Sequence, residues 1–142
     1  MPARKECGQV LVELALVCII FFIISLGIFD IGRLIFRLHQ LTQVAREGAR
    51  VASLTPSVNT PIGKTRVTGQ MTKVLIAMGI DVATVTILIA PFDTDGDGIL
   101  DVVDVTVQQN FLTGIGVSFI PGLNGTLLNT TVSMPVFTIA NG

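Results

Sequence analysis

The sequence predicts an α+β protein in which one long N-terminal helix carries a small antiparallel sheet and a short second helix. Three observations lead there. An apolar run fills residues 10–29, and no proline stands between Pro2 and Pro56, so nothing forces a break across the first fifty residues. Beyond residue 82 the chain turns β-branched and alternates apolar with polar side chains. The composition fits a membrane-embedded part joined to a small domain: 142 residues, 50% hydrophobic, 13% charged, mean hydropathy +0.75. The three expected regions are a short basic stretch over 1–8, a helix over 9–53 and a head over 54–142.

The helix has two characters. Val10 to Phe29 is interrupted by Glu13, Ser25 and Gly27 and is about 20 residues long, enough to cross roughly 30 Å of hydrocarbon. From there Ile31, Leu34, Ile35, Leu38, Leu41, Ala45, Ala49 and Ala52 recur at helical spacing, opposite a polar stripe through Arg33, Arg37, Gln40, Gln43, Glu47 and Arg50. Continuous from Gln9 to Ser53, the helix would be roughly 65 Å long. Asp30 and Arg33 are spaced to pair along it, at the membrane boundary or between subunits.

Glu13 is the anomaly. A cleaved secretory signal has a shorter apolar core and a small-x-small cleavage site, which is missing here. A plain anchor fits the length and the basic start, Arg4-Lys5, which favours a cytoplasmic N-terminus. It does not explain a carboxylate one turn into the span, which costs on the order of 2–3 kcal/mol.

Read with its neighbours, Glu13 has a context. Gly8 closes a short basic leader, and Glu13 is the fifth residue after it. This resembles the type IV prepilin signature. The stretch Gly8-Gln9 with Val12-Glu13, then Asp30-Ile31-Gly32-Arg33, then Ala45 to Arg50 (AREGAR) resembles more closely the TadE-like family of minor pilins or pseudopilins of tight-adherence pili. Asp30 stands where Glu is commoner in that family, and Val44 where Ala is.

The resemblance implies cleavage between Gly8 and Gln9 by a prepilin peptidase on the cytoplasmic face. It also implies that Glu13 meets the new α-amine of a neighbouring subunit and sets axial register. The implied partners are other pilin subunits through the N-terminal helix, the pilus assembly machinery and the membrane. The implied location is the cytoplasmic (inner) membrane, crossed once with the head outside, and then an extracellular pilus serving surface adherence.

In the head, Thr55 to Gly63 reads as a loop and Thr65 to Met78 as a short helix with Val67, Met71, Val74, Leu75 and Met78 on its apolar face. Strands are expected over Thr84–Ala90, Val102–Asn110 and Leu127–Thr138. In the middle one, Val103, Val105 and Val107 alternate with Asp104, Thr106 and Gln108, giving one buried and one wet face.

Between the first two strands lies DTDGDGILDVVD. Against the twelve-residue EF-hand loop, Asp93, Asp95, Asp97, Asp101 and Asp104 take positions 1, 3, 5, 9 and 12, Gly98 takes the turn, and Ile99 offers a backbone carbonyl. Alternate carboxylates turned inward suit a hard cation, so calcium is the expected cofactor. Strands on both sides make it similar to the DxDxDG loops of extracellular bacterial proteins. Asp-Gly pairs also favour hairpin turns without metal, though a turn needs one or two such residues and not five carboxylates.

Other classes find little support. A net charge of −1 gives no footing for nucleic acid. His39 is the single histidine, and Trp and Tyr are absent. Cys7 and Cys18 lie in or beside the apolar run with no downstream partner, so no disulfide framework is expected. No catalytic Ser/His/Asp set, P-loop or nucleotide-binding glycine motif is present, which disfavours an enzyme. The competing functional expectation is a single-pass, membrane-anchored calcium-binding module that never polymerises.

Overall fold

A computed structural model of the chain describes residues 3–55, 57–96, 99–111, 120, 122–123 and 125–136. Helix α1 spans Ala3–Ser53 without a break, and α2 spans Pro61–Ala77. A 3-10 turn, Val82–Thr84, leads into β1 (Val85–Phe92), which is followed by β2 (Val102–Asn110) and β3 (Leu127–Pro135). The fold is the expected α+β arrangement.

The three strands form one antiparallel sheet in the order β1-β2-β3. Val105 on the central strand lies opposite both Ile89 and Val132, and Val107 opposite Ile87 and Thr130. The period of two therefore puts Val85, Val103, Val105, Val107 and Val132 on one face. Val103, Val105 and Val107 are completely buried, while Asp104, Thr106 and Gln108 stay on the wet face, where the Thr106 and Thr131 hydroxyls bond at 2.8 Å.

The buried face packs on the second half of α1. Leu41, Val44, Ala45, Ala49 and Ala52 have no exposed surface, and they join the sheet valines and the α2 residues Val67, Met71 and Leu75 in one core. Three strands alone bury too little to be stable, so the helix supplies the missing layer. The Thr42 and Thr130 hydroxyls meet at 3.3 Å across that junction.

The predicted apolar stripe of α1 needs one correction. Leu41 and the alanines face the head, but Ile31, Ile35 and Leu38 are 47%, 47% and 37% exposed. Asp30, 5% exposed, and the part-buried Leu34 hold the inward position in this turn. The head covers only one side of the helix here, so the apolar residues on its other side stay open.

Helix α2 begins four residues earlier than the sequence suggests. Pro61 occupies the first helical position, where its missing N–H costs nothing, and Thr60 caps the end by accepting a 3.2 Å bond from the Gly63 N–H. β1 runs two residues beyond Ala90 and takes in Pro91, which an edge strand tolerates. β3 ends at Pro135, opposite Val102; residues 137–138 of the expected strand lie outside the described residues.

Candidate functional site

Two features hold the residues singled out from the sequence: the lower half of α1 and the loop between β1 and β2.

In α1, Gly8, Gln9 and Glu13 are all solvent-exposed on one continuous helix. Gln9 and Glu13 are four residues apart, so they share a face, with about 6 Å between them along the axis. The apolar residues around them carry no head above them. Val10, Leu11, Val12, Leu14 and Leu16 are 57–69% exposed, and, apart from the half-buried residues 25–27, the exposure extends to Phe29 at 61%. Within this helix lies a segment long and apolar enough to cross a membrane. A surface of this kind is stable only against lipid or other helices. Cys18 lies in this stretch as an exposed free thiol.

The upper end of α1 explains the Ala45–Arg50 motif. Its small residues point at the core, and its charged residues point out. Ala45 and Ala49 are fully buried, and Gly48 lies so close to α2 that an added Cβ would meet Met71 Sδ at 2.6 Å. On the outer side Arg50 donates to both carboxylate oxygens of Glu47, at 2.9 and 2.6 Å. Those hydrogen bonds hold the Glu47 carboxyl below its ordinary range, and the same pair raises Arg50.

In the β1–β2 loop the structure brings Asp93, Asp95 and Asp101 together. One carboxylate oxygen from each lies within 4.8 Å of the others. The backbone makes this convergence. Asp101 N–H bonds to Phe92 O at 3.0 Å and closes the neck, Thr94 N–H bonds to Asp101 Oδ2 at 2.8 Å, and Gly96 N–H bonds to Asp93 Oδ1 at 2.7 Å. Gly96 has φ +79°, a left-handed turn that favours glycine.

Asp97 and Gly98 lie outside the described residues. Ile99 follows in the loop, half exposed. Asp104 is already inside β2, opposite Ala90 and Ser133, and is not one of the converging three. The loop thus gathers positions 1, 3 and 9 of the pattern, while the strand carries position 12 away.

Residues 8–50 match the family model of TadE-like proteins. The match begins at the glycine of the expected processing site, ends at the arginine of AREGAR, and bears out the resemblance read from those motifs. It covers most of α1 and leaves the head outside. No curated protein and no solved structure matches the chain.

Proposed function

We propose that this chain is a pilin-like structural subunit of the TadE type. It is cleaved after Gly8 by a prepilin peptidase, then assembled into, or initiating, an extracellular pilus used for surface adherence. The observation that carries this reading is the exposed apolar half of α1, bearing one carboxylate five residues after Gly8 and continuous with a half that holds a folded head. An ordinary anchor has no use for Glu13. A helix that leaves the bilayer for a filament core does, because cleavage at Gly8 creates an α-amine at Gln9.

In the low dielectric between packed helices, a carboxylate and an amine from neighbouring copies are each costly alone and compatible together. Their pairing selects one axial offset among the many that an apolar surface permits. The head then rides outside the core, held to its own helix by the alanine and valine packing described above. Extraction from the membrane is work for an assembly machine and asks nothing catalytic of this chain.

The test is the N-terminal mass of the protein made in cells with and without an active prepilin peptidase. Processing predicts a start at Gln9 with the enzyme and a full leader without it. A start at Met1 or Pro2 in the presence of the enzyme overturns the reading and favours the non-polymerising anchored module.

A second element of the proposal is a calcium ion in the head, favoured by the convergence of Asp93, Asp95 and Asp101. Three carboxylates this close repel one another unless a cation joins them. A calcium ion there would tie the two ends of the loop together and stiffen the head.

A further inference from the structure

The described residues of the head leave a gap against α1. At the end of the sheet nearer the apolar half of the helix lies a cavity of about 600 Å³, lined by Phe29, Arg33, Phe36 and Arg37 of α1 and by Met78 and Phe111 of the head. Two guanidinium groups open into a space otherwise walled largely by apolar and aromatic side chains.

The contacts seen for both arginines are with neutral groups. Arg33 lies over the Phe29 ring, 5.9 Å from its centroid, and Arg37 donates to the neutral Gln40 at 3.2 Å. A surface ion pair, Glu47–Arg50, lies higher on the helix. Of the nearby acids, Asp81 borders a smaller neighbouring cavity with Arg37 and accepts a bond from the Ala83 N–H, and Asp30 is buried one turn below Arg33. Both arginines are half-buried. Partly desolvated guanidinium groups gain most from a bidentate oxyanion.

Their height along the helix says which oxyanion. The apolar run ends at Phe29. At 1.5 Å per residue Arg33 lies roughly 6 Å beyond it and Arg37 roughly 12 Å beyond. The headgroup layer extends roughly 5–8 Å past the hydrocarbon on each side. Helical side chains lean toward the N-terminus, so Arg37 reaches down toward the same level.

We propose that this cavity holds the phosphate headgroup of an anionic phospholipid, with Arg33 and Arg37 on the phosphate and Phe29 and Phe36 along the upper acyl chain. The site docks the base of the head on the membrane surface before assembly. The proposal rests on reading α1 as membrane-spanning and is independent of cleavage at Gly8.

The experiment uses the full chain in mild detergent micelles carrying equimolar phosphatidylglycerol and phosphatidylcholine, with retained lipid read by native mass spectrometry. The expected result is a preference of about thirtyfold for phosphatidylglycerol, the scale of two basic side chains at an anionic surface. Arg33→Gln with Arg37→Gln removes the preference, Arg33→Lys with Arg37→Lys keeps most of it, and Arg46→Gln with Arg50→Gln leaves it intact. Should the double glutamine variant misfold, the single variants Arg33→Gln and Arg37→Gln decide, each expected to lose part of the preference, and an undiminished preference in both overturns the proposal.

Equal retention of both lipids by the unmodified chain overturns the proposal, as does a preference that survives in a folded glutamine variant. Displacement of the lipid by millimolar inorganic phosphate overturns it in favour of a free-anion site. A dimer mass that excludes lipid and disappears with Asp93→Asn and Asp101→Asn overturns it in favour of a second copy's acidic loop. The same spectra report the N-terminal mass, so loss of lipid preference and loss of processing are read separately.

Discussion

Gly48 and Met71 hold the two helices of this protein in contact: a Cβ on Gly48 would stand 2.6 Å from Met71 Sδ and 2.8 Å from its Cε. Met71 is fully buried, so its flexible end has little room to retreat. Gly48→Ala gains about 1 kcal/mol of helix propensity and loses about 1–3 kcal/mol to overpacking, so the expected outcome is a net loss of about 1 kcal/mol. Met71→Ala alone leaves a cavity and costs about 2–5 kcal/mol. Together the two changes should cost less than their sum, by on the order of 1 kcal/mol, because each makes room for the other. Hydrogen exchange of the slowest β2 amides in the full chain checks this; strict additivity would mean that the helices can separate without strain.

The start of α2 is sensitive for a different reason. A Cβ on Gly63 would collide with the backbone carbonyl of Ser57, which cannot move without the preceding turn. Gly63→Ala should therefore cost about 3 kcal/mol, near the top of the overpacking range. Thr60→Ala removes the cap and should cost about 1 kcal/mol. Thermal unfolding followed by the protection of α2 amides separates the two. Equal effects would show that the turn can rearrange.

The outward half of the same motif should matter little. Glu47 and Arg50 pair on the exposed side of α1, with 38% and 59% of their side chains open to solvent. The carboxyl of Glu47 is lowered by the Arg50 hydrogen bonds. Its contribution is therefore present above the unfolded carboxyl value, about 4.3, and is lost as pH falls through the lower folded value. Water screens such a pair strongly. Glu47→Gln is expected to leave the melting temperature at neutral pH unchanged within error and to flatten slightly the acid limb of a stability–pH curve. A drop of several degrees at pH 7 would mean that the pair contacts something beyond α1.

These contrasts mark what was legible in the residues and what was not. The long helix could be read because length, apolarity and the missing prolines act locally, and β2 because alternation is local too. The beginning of α2 was hidden by its own cap: Thr60-Pro61 reads as loop chemistry until one sees the N-cap bond to Gly63. The need for glycine at position 48 could not be read at all, since it depends on Met71, 23 residues away in the chain and across a helix interface. Arg33 and Arg37 read as an ordinary polar stripe, because the cavity beside them is made by Met78 and Phe111. For the acidic loop, spacing named the converging Asp93, Asp95 and Asp101 but gave Asp104 two places, the twelfth loop position and the wet face of β2, and its pairing with Ala90 and Ser133 settles it on the strand.

That last difference gives a discriminating experiment. If calcium binds the loop, its saturation at a hundredfold excess over Kd should stabilise the head by about 2.7 kcal/mol, raising its melting temperature by roughly 10–20 °C. Asp93→Asn or Asp101→Asn should abolish most of that shift, since each removes a carboxylate from the converging group. Asp104→Asn should leave most of it, because its strand position puts it outside the group. No response to millimolar calcium would end the calcium reading, and a dominant effect of Asp104 would mean that the loop closes further around the ion than the three carboxylates imply.

The sharpest test concerns Glu13. Neutralising it relieves a burial penalty on the order of 2–3 kcal/mol, so Glu13→Ala or Glu13→Gln should insert into membranes as well as the unmodified chain or better. Glutamine keeps nearly the size and shape of the side chain and removes only the charge, so it isolates the electrostatic role. Because that charge is proposed to fix axial offset between copies, both variants should be cleaved after Gly8 yet fail to enter filaments. Membrane fractionation, N-terminal mass and the yield of sheared surface filaments distinguish the three steps. Filaments of normal yield containing Glu13→Gln would show that register is set elsewhere, with shape complementarity along the apolar helix as the remaining source.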